Sequence, residues 1–214
     1  MTSKTQPEPI RDPQTDHLLT PENAVVALID YQPEQYATVG SATKDGINLG
    51  VVTLARFAAT FELPTVVSTV AVDMGVNEPT ARAIMDVLPD DQQEIDRTGV
   101  NAWEDEDFRA AIEASGRKKV IIAGLWTEVC LAYPTLDMLR EGYEVYPVID
   151  AVGGVTPVSH RTAIERMVQA GAQQVTSLAV GAELMRNWAR PSGDLFRPVM
   201  QDYFRGRDAL GLGN

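Results

Sequence analysis

Three residues whose types suit nucleophilic chemistry stand at or just after the ends of short runs that predict strands: Asp30, Arg97 and Cys130. Cys130 is the only cysteine of the chain, and it lies where the apolar run KKVIIAGL gives way to a helical pattern. A free thiol with a pKa of ~8.5 supplies little thiolate at neutral pH. A helix N-terminus and a cation such as Arg97 both lower the pKa of a nearby thiol. Asp30 can accept the thiol proton, and the backbone N–H groups between Leu125 and Cys130 can stabilise an oxyanion.

Each of these residues also has a purely structural interpretation. Free cysteine is among the most buried residue types and often behaves as a small hydrophobe. An aspartate such as Asp30 at a strand end commonly caps the turn that follows. Arg97 can form a surface ion pair. Spacing alone therefore leaves both catalysis and structure open.

Apolar runs alternate with helical patterns along most of the chain. The runs that predict strands are 23–30, 64–72, 93–97, 118–125, 143–150 and 173–180. This alternation predicts a three-layer, doubly wound α/β domain with a sheet of about six mostly parallel strands and helices on both faces. Ligands bind outside the carboxyl ends of the strands in such sheets. Asp30, Arg97 and Cys130 are therefore predicted to converge on one edge.

The domain organisation follows from the ends of this alternation. Residues 1–22 are rich in Pro, Thr and Asp, lack periodicity and predict an N-terminal arm. The predicted α/β domain covers residues 23–190. Residues 191–214 alternate apolar and aromatic residues and predict a C-terminal arm that docks on the domain or on a partner subunit.

Composition narrows the classes of partner. The chain has 214 residues, 44% of them hydrophobic, and a formal net charge of -12. This acidity argues against nucleic acid or an anionic membrane as a binding partner, because both bind to clusters of Lys and Arg. No apolar run approaches the roughly 20 residues that span a bilayer. The lone cysteine and the absence of the apolar core of a secretion signal predict a cytoplasmic protein.

No cofactor or metal is predicted. The sequence has neither a G-x-G-x-x-G after the first strand nor a P-loop. The only histidines are His17, in the predicted arm, and His160, near a helix start. Asp73 follows the second strand without a neighbouring histidine, so an imidazole-rich metal site is not expected.

Three stretches in order, VVALIDYQ, GLWTEVC and GYEVYPVIDAVGG, resemble the isochorismatase-like cysteine hydrolases over about residues 23–190. The likeness is greatest to small oligomeric hydrolases of unknown substrate. It implies an isochorismatase-like, Rossmann-like sheet with Asp30 as general base and Cys130 as nucleophile. The family has a lysine where this chain has Arg97. An arginine can hold Asp30 but cannot shuttle a proton, because it is not deprotonated in proteins.

The resemblance also implies the surroundings of the thiol. A cis peptide is expected between Leu125 and Trp126, which would turn the amides of Trp126 and Cys130 into an oxyanion hole. Residues near the expected pocket are predicted substrate contacts, namely Tyr31, Gln32, Trp126 and Thr127. An exposed loop position is the alternative for Gln32, and Trp103 is expected in the core or at a subunit contact.

These observations together predict an enzyme. The predicted function is hydrolysis of a C–N bond in a small amide-like or imide-like substrate, through a thioester on Cys130. Two alternatives use the same fold: a non-catalytic oligomeric binding or scaffold protein, favoured by the arginine at position 97, and a thiol redox sensor. A homo-oligomer is expected from the family and from the apolar C-terminal arm.

Overall fold

A parallel sheet of five strands forms the middle layer of the structure, a computed structural model that describes residues 5–7 and 11–213. The strands are β1 (Ala24–Ile29), β2 (Thr65–Val70), β3 (Glu94–Arg97), β4 (Lys119–Gly124) and β5 (Glu144–Pro147). Their spatial order is β3-β2-β1-β4-β5. β1 and β4 are buried along their whole length. Their continuous apolar runs follow from this position, because helices cover a parallel sheet on both faces.

Helices flank the sheet in two groups. Those in the described residues are α1 (Pro33–Ala37), α2 (Lys44–Thr60), α3 (Arg82–Met85), α4 (Glu106–Ala114), α5 (Ala132–Arg140), α6 (Pro157–Gln169), α7 (Ser177–Met185) and α8 (Pro191–Ala209). In one group α2, α7 and α8 pack together, and in the other α5 contacts α6 and β5. Among the described residues, no helix combines the length and apolar character needed to cross a membrane.

The predicted sixth strand, residues 173–180, is wrong. Val175 forms only an isolated bridge with Val148, and α7 already begins at Ser177. The Asp150 carboxylate accepts hydrogen bonds from the backbone N–H and from the hydroxyl of Ser177, both at 2.7 Å. These bonds satisfy the first turn of a helix, where N–H groups lack intrahelical partners. The doubly wound α/β architecture is thus confirmed with five strands instead of about six.

The order of the strands reverses at β1. The chain runs from β1 to β2 and β3 on one side, and β4 then pairs with the other side of β1. Ligand sites in doubly wound sheets form at such a switch point. Asp30 directly follows β1, Arg97 ends β3, and Cys130 lies just beyond β4. The carboxyl edge of the sheet therefore carries all three residues.

Both terminal segments contact the domain. Residues 1–4 and 8–10 of the predicted N-terminal arm lie outside the described residues. Leu19 is fully buried, and its N–H donates to Glu183 Oε2 at 2.7 Å. The predicted C-terminal arm contains α8, in which Phe196 stacks on Phe57 of α2 with ring centroids 5.3 Å apart. Aromatic contacts thus join α8 to the helical layer of its own chain.

Candidate functional site

The Asp30 carboxylate and the Arg97 guanidinium form a buried ion pair with two contacts. Arg97 Nη1 donates to Asp30 Oδ1 and Nη2 donates to Oδ2, both at 2.7 Å. Neither side chain is exposed. Burial alone would lower the pKa of Arg97, but the hydrogen bonds and charge of Asp30 outweigh burial and raise that pKa. The alternative of a surface ion pair for Arg97 is therefore excluded.

The end of β2 holds this ion pair in place. Arg97 Nη1 also donates to the Thr69 carbonyl at 2.8 Å and to Ser68 Oγ at 3.2 Å. The Asp30 N–H donates to the Ser68 carbonyl at 2.9 Å, and Asp30 has a φ of 59°, in the left-handed region that Asp adopts more readily than most residues. Ser68 and Thr69 were not among the predicted site residues. The available signal in the sequence is the adjacent polar pair Ser68 and Thr69 between the valines of β2.

Cys130 lies on a π-turn, Thr127–Leu131, that joins β4 to α5. The residue is only 6% exposed. Burial and the neighbouring charge of Asp30 raise the pKa of the thiol well above its ordinary value, and Arg97 and the Trp126 amide oppose this rise without overcoming it. The prediction that Arg97 and a helix N-terminus would favour a thiolate is therefore wrong. Asp30 neutralises the arginine, so the resting sulfur keeps its proton.

The Asp30 carboxylate contacts the thiol as well as the guanidinium. The charge of Asp30 acts on the Cys130 thiol and raises its pKa, and the Cys130 sulfur and Arg97 interact electrostatically. The structure thus brings the three predicted catalytic residues together at one point of the sheet edge. A carboxylate in contact with a thiol is placed to accept its proton when the sulfur attacks an electrophile.

Trp126 forms the wall of the site beside the sulfur. The Leu125–Trp126 peptide bond is cis, as the resemblance implies. The Trp126 backbone amide lies near the sulfur of Cys130 and acts to lower the pKa of the thiol. The indole Nε1 donates to the Gln35 carbonyl at 3.2 Å and to Thr38 Oγ1 at 2.9 Å. The ring is therefore anchored to α1 and the residue that follows it, and the amide faces the reactive atom.

Tyr31 and Gln32 use their polar groups within the protein. The Tyr31 hydroxyl donates to the Ala151 carbonyl at 2.7 Å. Gln32 Nε2 donates to the carbonyls of Val70, at 3.1 Å, and Glu78, at 2.8 Å, and its Oε1 accepts from the Val70 N–H at 3.1 Å. Both side chains are buried. These contacts indicate that Tyr31 and Gln32 fix the loop after β1, and they do not favour the predicted substrate contacts. They also exclude an exposed position for Gln32.

Thr127 is likewise engaged inside the chain. It is fully buried, its N–H donates to the Gly153 carbonyl at 3.0 Å, and its hydroxyl lies 2.9 Å from His160 Nδ1 on α6. Because its N–H and hydroxyl already have partners within the chain, Thr127 has little hydrogen-bonding capacity left for the predicted substrate contact. Sequence reasoning considered His160 only as a metal ligand, whereas the fold places it directly behind the nucleophile turn.

A groove of about 750 Å³ lies beside the site, between the loop after β3 and helices α5 and α6. Its lining includes Val100, Asn101 and Tyr133 but not Cys130. The Val100 carbonyl accepts a long hydrogen bond from Arg97 Nη2, at 3.4 Å. One backbone segment therefore separates the groove from the ion pair, and a molecule that entered here would have to pass Val100 to reach the thiol.

Trp103 belongs to the core and not to this groove. It is 3% exposed and packs edge-on against Tyr143 with ring centroids 5.3 Å apart. Its indole Nε1 donates to Glu141 Oε1 at 3.0 Å. Of the two interpretations offered by the sequence, these contacts support the core.

Comparison with known proteins agrees with this geometry. The family model for the Isochorismatase domain matches residues 23–179, which include all of the sheet. The probable hydrolase YcaC of Escherichia coli (strain K12) is 36% identical over 170 residues, which cover 79% of this chain and 81% of that protein.

Two solved structures share the fold at similar identity. YcaC from Pseudomonas aeruginosa, solved with hexane-2,5-diol and covalent acrylamide, has a TM-score of 0.80 and 36% identity and covers 92% of this chain and 98% of its own. YcaC from Escherichia coli, described as an octameric hydrolase of unknown specificity, has a TM-score of 0.80 and 35% identity, with coverage of 93% and 98%. By sequence and by fold, the chain is a hydrolase that belongs to the isochorismatase family.

Proposed function

We propose that this hydrolase cleaves a C–N bond of a small amide-like or imide-like substrate through a thioester on Cys130. The observation that carries the proposal is the contact of the Cys130 thiol with a carboxylate whose two oxygens are held by Arg97. A buried thiol that keeps its proton needs a base in contact with it. Asp30 supplies that base without a metal ion.

Formation of the thioester uses Asp30 twice. Asp30 accepts the proton of the Cys130 sulfur as the sulfur attacks the carbonyl carbon, and the carbonyl electrons move onto oxygen. The amides of Trp126 and Cys130 donate hydrogen bonds to this oxyanion. As the C–N bond breaks, Asp30 returns the proton to the leaving nitrogen. The amine departs and the acyl group stays on sulfur.

Water then releases the acyl group. Asp30 accepts a proton from the water as its oxygen attacks the thioester carbon. The C–S bond breaks, and the proton passes from Asp30 back to the sulfur of Cys130. The net reaction converts an amide and water into an acid and an amine, and the enzyme returns to its starting protonation state.

Arg97 takes no proton in this scheme, because a guanidinium stays charged in proteins. Its two contacts with Asp30 fix the orientation of the carboxylate, and its charge stabilises the ionised form. The role therefore differs from that of a lysine, which can lose a proton. The intact contact of Arg97 with Asp30 weakens the alternative of a non-catalytic protein, because the base is still held in position.

The contacts also argue against an oxidant sensor. Sensor cysteines are solvent-accessible and have low pKa values, which makes the thiolate available to oxidants. Cys130 is buried, and its pKa is raised by burial and by Asp30. Slow oxidation is therefore expected at this position.

The proposal extends to assembly as a homo-oligomer. YcaC of Escherichia coli, which shares the fold at 35% identity, is octameric. Trp188, just before the C-terminal segment, and Leu195, within it, are 55% and 47% exposed, as expected of residues that a partner subunit covers. Light scattering on the purified protein gives the number of subunits.

The test combines an amide library with mass spectrometry. Because Cys130 is the only cysteine, any thiol adduct is assigned without peptide mapping. Acrylamide is the first probe, since YcaC from Pseudomonas aeruginosa carries it covalently. Wild-type protein should gain one acrylamide and hydrolyse at least one amide, whereas Cys130→Ala should do neither. Full amide turnover by Cys130→Ala would refute the mechanism.

A further inference from the structure

The nucleophile turn is tied to α6 and to the loop before it by contacts that the proposed mechanism does not use. The Thr127 N–H donates to the Gly153 carbonyl at 3.0 Å, and the Thr127 hydroxyl lies 2.9 Å from His160 Nδ1. The next residue, Glu128, accepts from the Val155 N–H through Oε1 at 2.9 Å. Thr127 and Glu128, which are consecutive in the turn, are thus both held by contacts with α6 and the loop before it.

Packing around this connection leaves little freedom. A Cβ atom at Gly154 would lie 2.4 Å from Glu128 Oε2 and 2.9 Å from His160 Cβ, both closer than real Cβ contacts. A glycine is therefore required where the loop passes between the turn and the helix. Gly154 therefore lies directly against the backbone and Cβ of His160.

The start of α6 fixes His160 in turn. Thr156 caps the helix by accepting from the Ser159 N–H, and the Ser159 hydroxyl accepts from the Thr156 N–H in a capping box. The His160 N–H donates to the Thr156 carbonyl at 3.0 Å. Burial lowers the pKa of His160, although Glu128 opposes this effect. The ring is therefore neutral at neutral pH, and its contact with Thr127 forms whichever atom donates.

We propose that His160 is a positioning residue, which acts through Thr127 to aim the Trp126 amide at the oxyanion. Trp126 directly precedes Thr127, and its backbone amide lies near the sulfur of Cys130. The bond from the Thr127 N–H fixes the Trp126–Thr127 peptide, which adjoins the Leu125–Trp126 peptide that carries the Trp126 N–H. This inference rests on the proposed cysteine-hydrolase function, because an oxyanion forms only if the sulfur attacks a carbonyl group.

Two small electrophiles separate positioning from simple access to the thiol. Acylation of Cys130 by p-nitrophenyl acetate passes through a tetrahedral oxyanion, whereas alkylation by iodoacetamide is a displacement that forms none. A looser turn changes thiol exposure and affects both rates. The ratio of acylation to alkylation therefore reports the oxyanion hole alone. Both adducts are followed by intact-protein mass spectrometry, and Cys130→Ala supplies the background.

His160→Ala and Thr127→Val should each lower this ratio by about 10- to 100-fold, since one displaced oxyanion donor costs about that much in rate. The double variant should match the worse single variant, because both changes break one contact. His160→Asn, which keeps a polar atom near Nδ1, and Thr127→Ser should retain most of the ratio. His17→Asn is the matched control, since that side chain is 69% exposed.

An unchanged ratio in His160→Ala, or losses that add in the double variant, would overturn the proposal. If His160→Ala does not fold, the contrast between Thr127→Val and Thr127→Ser decides in its place. If wild-type protein is alkylated but never acylated, the proposed function fails, and the inference that rests on it fails too. Acylation of wild type together with an unchanged ratio in the variants overturns the inference alone.

Discussion

Replacing Asp30 by Asn should make the thiol more reactive and the enzyme inactive. The substitution keeps the size of the side chain and one acceptor oxygen but removes the negative charge. In the wild type that charge cancels the charge of Arg97 next to Cys130 and raises the pKa of the thiol. In the variant Arg97 is left as an unpaired buried cation, and the nearest available anion is the thiolate.

The size of the effect follows from the geometry. The charge of Asp30 acts on the thiol, and two unit charges about 5 Å apart interact by about 3 kcal/mol at an effective dielectric constant of about 20. This energy corresponds to about a 100-fold change in the ratio of thiolate to thiol. Part of it will be lost to relaxation of Arg97, so we expect at least a tenfold (roughly 1.4 kcal/mol) faster alkylation.

The same substitution destabilises the fold, and the assay has to allow for this. Leaving one partner of a buried pair alone costs about 3 to 5 kcal/mol, which for a domain of this size lowers the melting temperature by about 6 to 20 °C. Asp150→Asn is the matched control. Asp150 is an acid in the turn after β5 that accepts two 2.7 Å hydrogen bonds, but both come from Ser177 and neither from the thiol.

The assay is iodoacetamide alkylation at pH 7, well below the melting temperature of each variant, with p-nitrophenolate release measured in parallel. Asp30→Asn should be alkylated faster than wild type and should not turn over, because no base remains for proton transfer. Asp150→Asn should lose stability without faster alkylation. Alkylation of folded Asp30→Asn at or below the wild-type rate would refute the idea that Asp30 keeps the proton on the sulfur.

Two further predictions concern stability. The pKa of Cys130 is raised in the folded state by burial and Asp30, so wild type should lose up to about 1.4 kcal/mol per pH unit above pH ~8.5, where the unfolded thiol ionises. In urea unfolding between about pH 8 and 10, the free energy of unfolding of Cys130→Ser should fall less steeply with pH than that of wild type. Equal slopes for the two proteins would contradict this. Gln32→Ala should lower the free energy of unfolding by about 2 to 4 kcal/mol, because it strands polar groups of Val70 and Glu78. The Gln32→Ala variant should still be acylated by p-nitrophenyl acetate. Impaired acylation without any loss of stability would instead support the predicted contact of Gln32 with substrate.

The architecture and the meeting of Asp30, Arg97 and Cys130 could be predicted because both follow from local rules. Apolar runs that alternate with helical patterns specify a covered parallel sheet. Residues that directly follow parallel strands share one edge, however far apart they are in the chain. The cis peptide before Trp126 had no local signal and came only from the resemblance.

The features that sequence reasoning missed depend on partners distant in the chain. The run 173–180 has the composition of a strand, but Asp150, 27 positions before Ser177, supplies the bonds that begin a helix there. The protonation of Cys130 depends on a balance between burial, Asp30 and Arg97 that no spacing reveals. The buried position of Gln32 similarly requires the backbone of β2 and the loop after it.

The position of Arg97 on an edge strand has a consequence for how long the site stays assembled. β3 has four residues and pairs only with β2, whereas Asp30 follows the central strand. Short edge strands open more readily than the centre of a sheet. Each opening of β3 withdraws the guanidinium and leaves Asp30 without its partner, while the core remains folded. The lifetime of the competent site is therefore set by local opening at the edge and not by global unfolding.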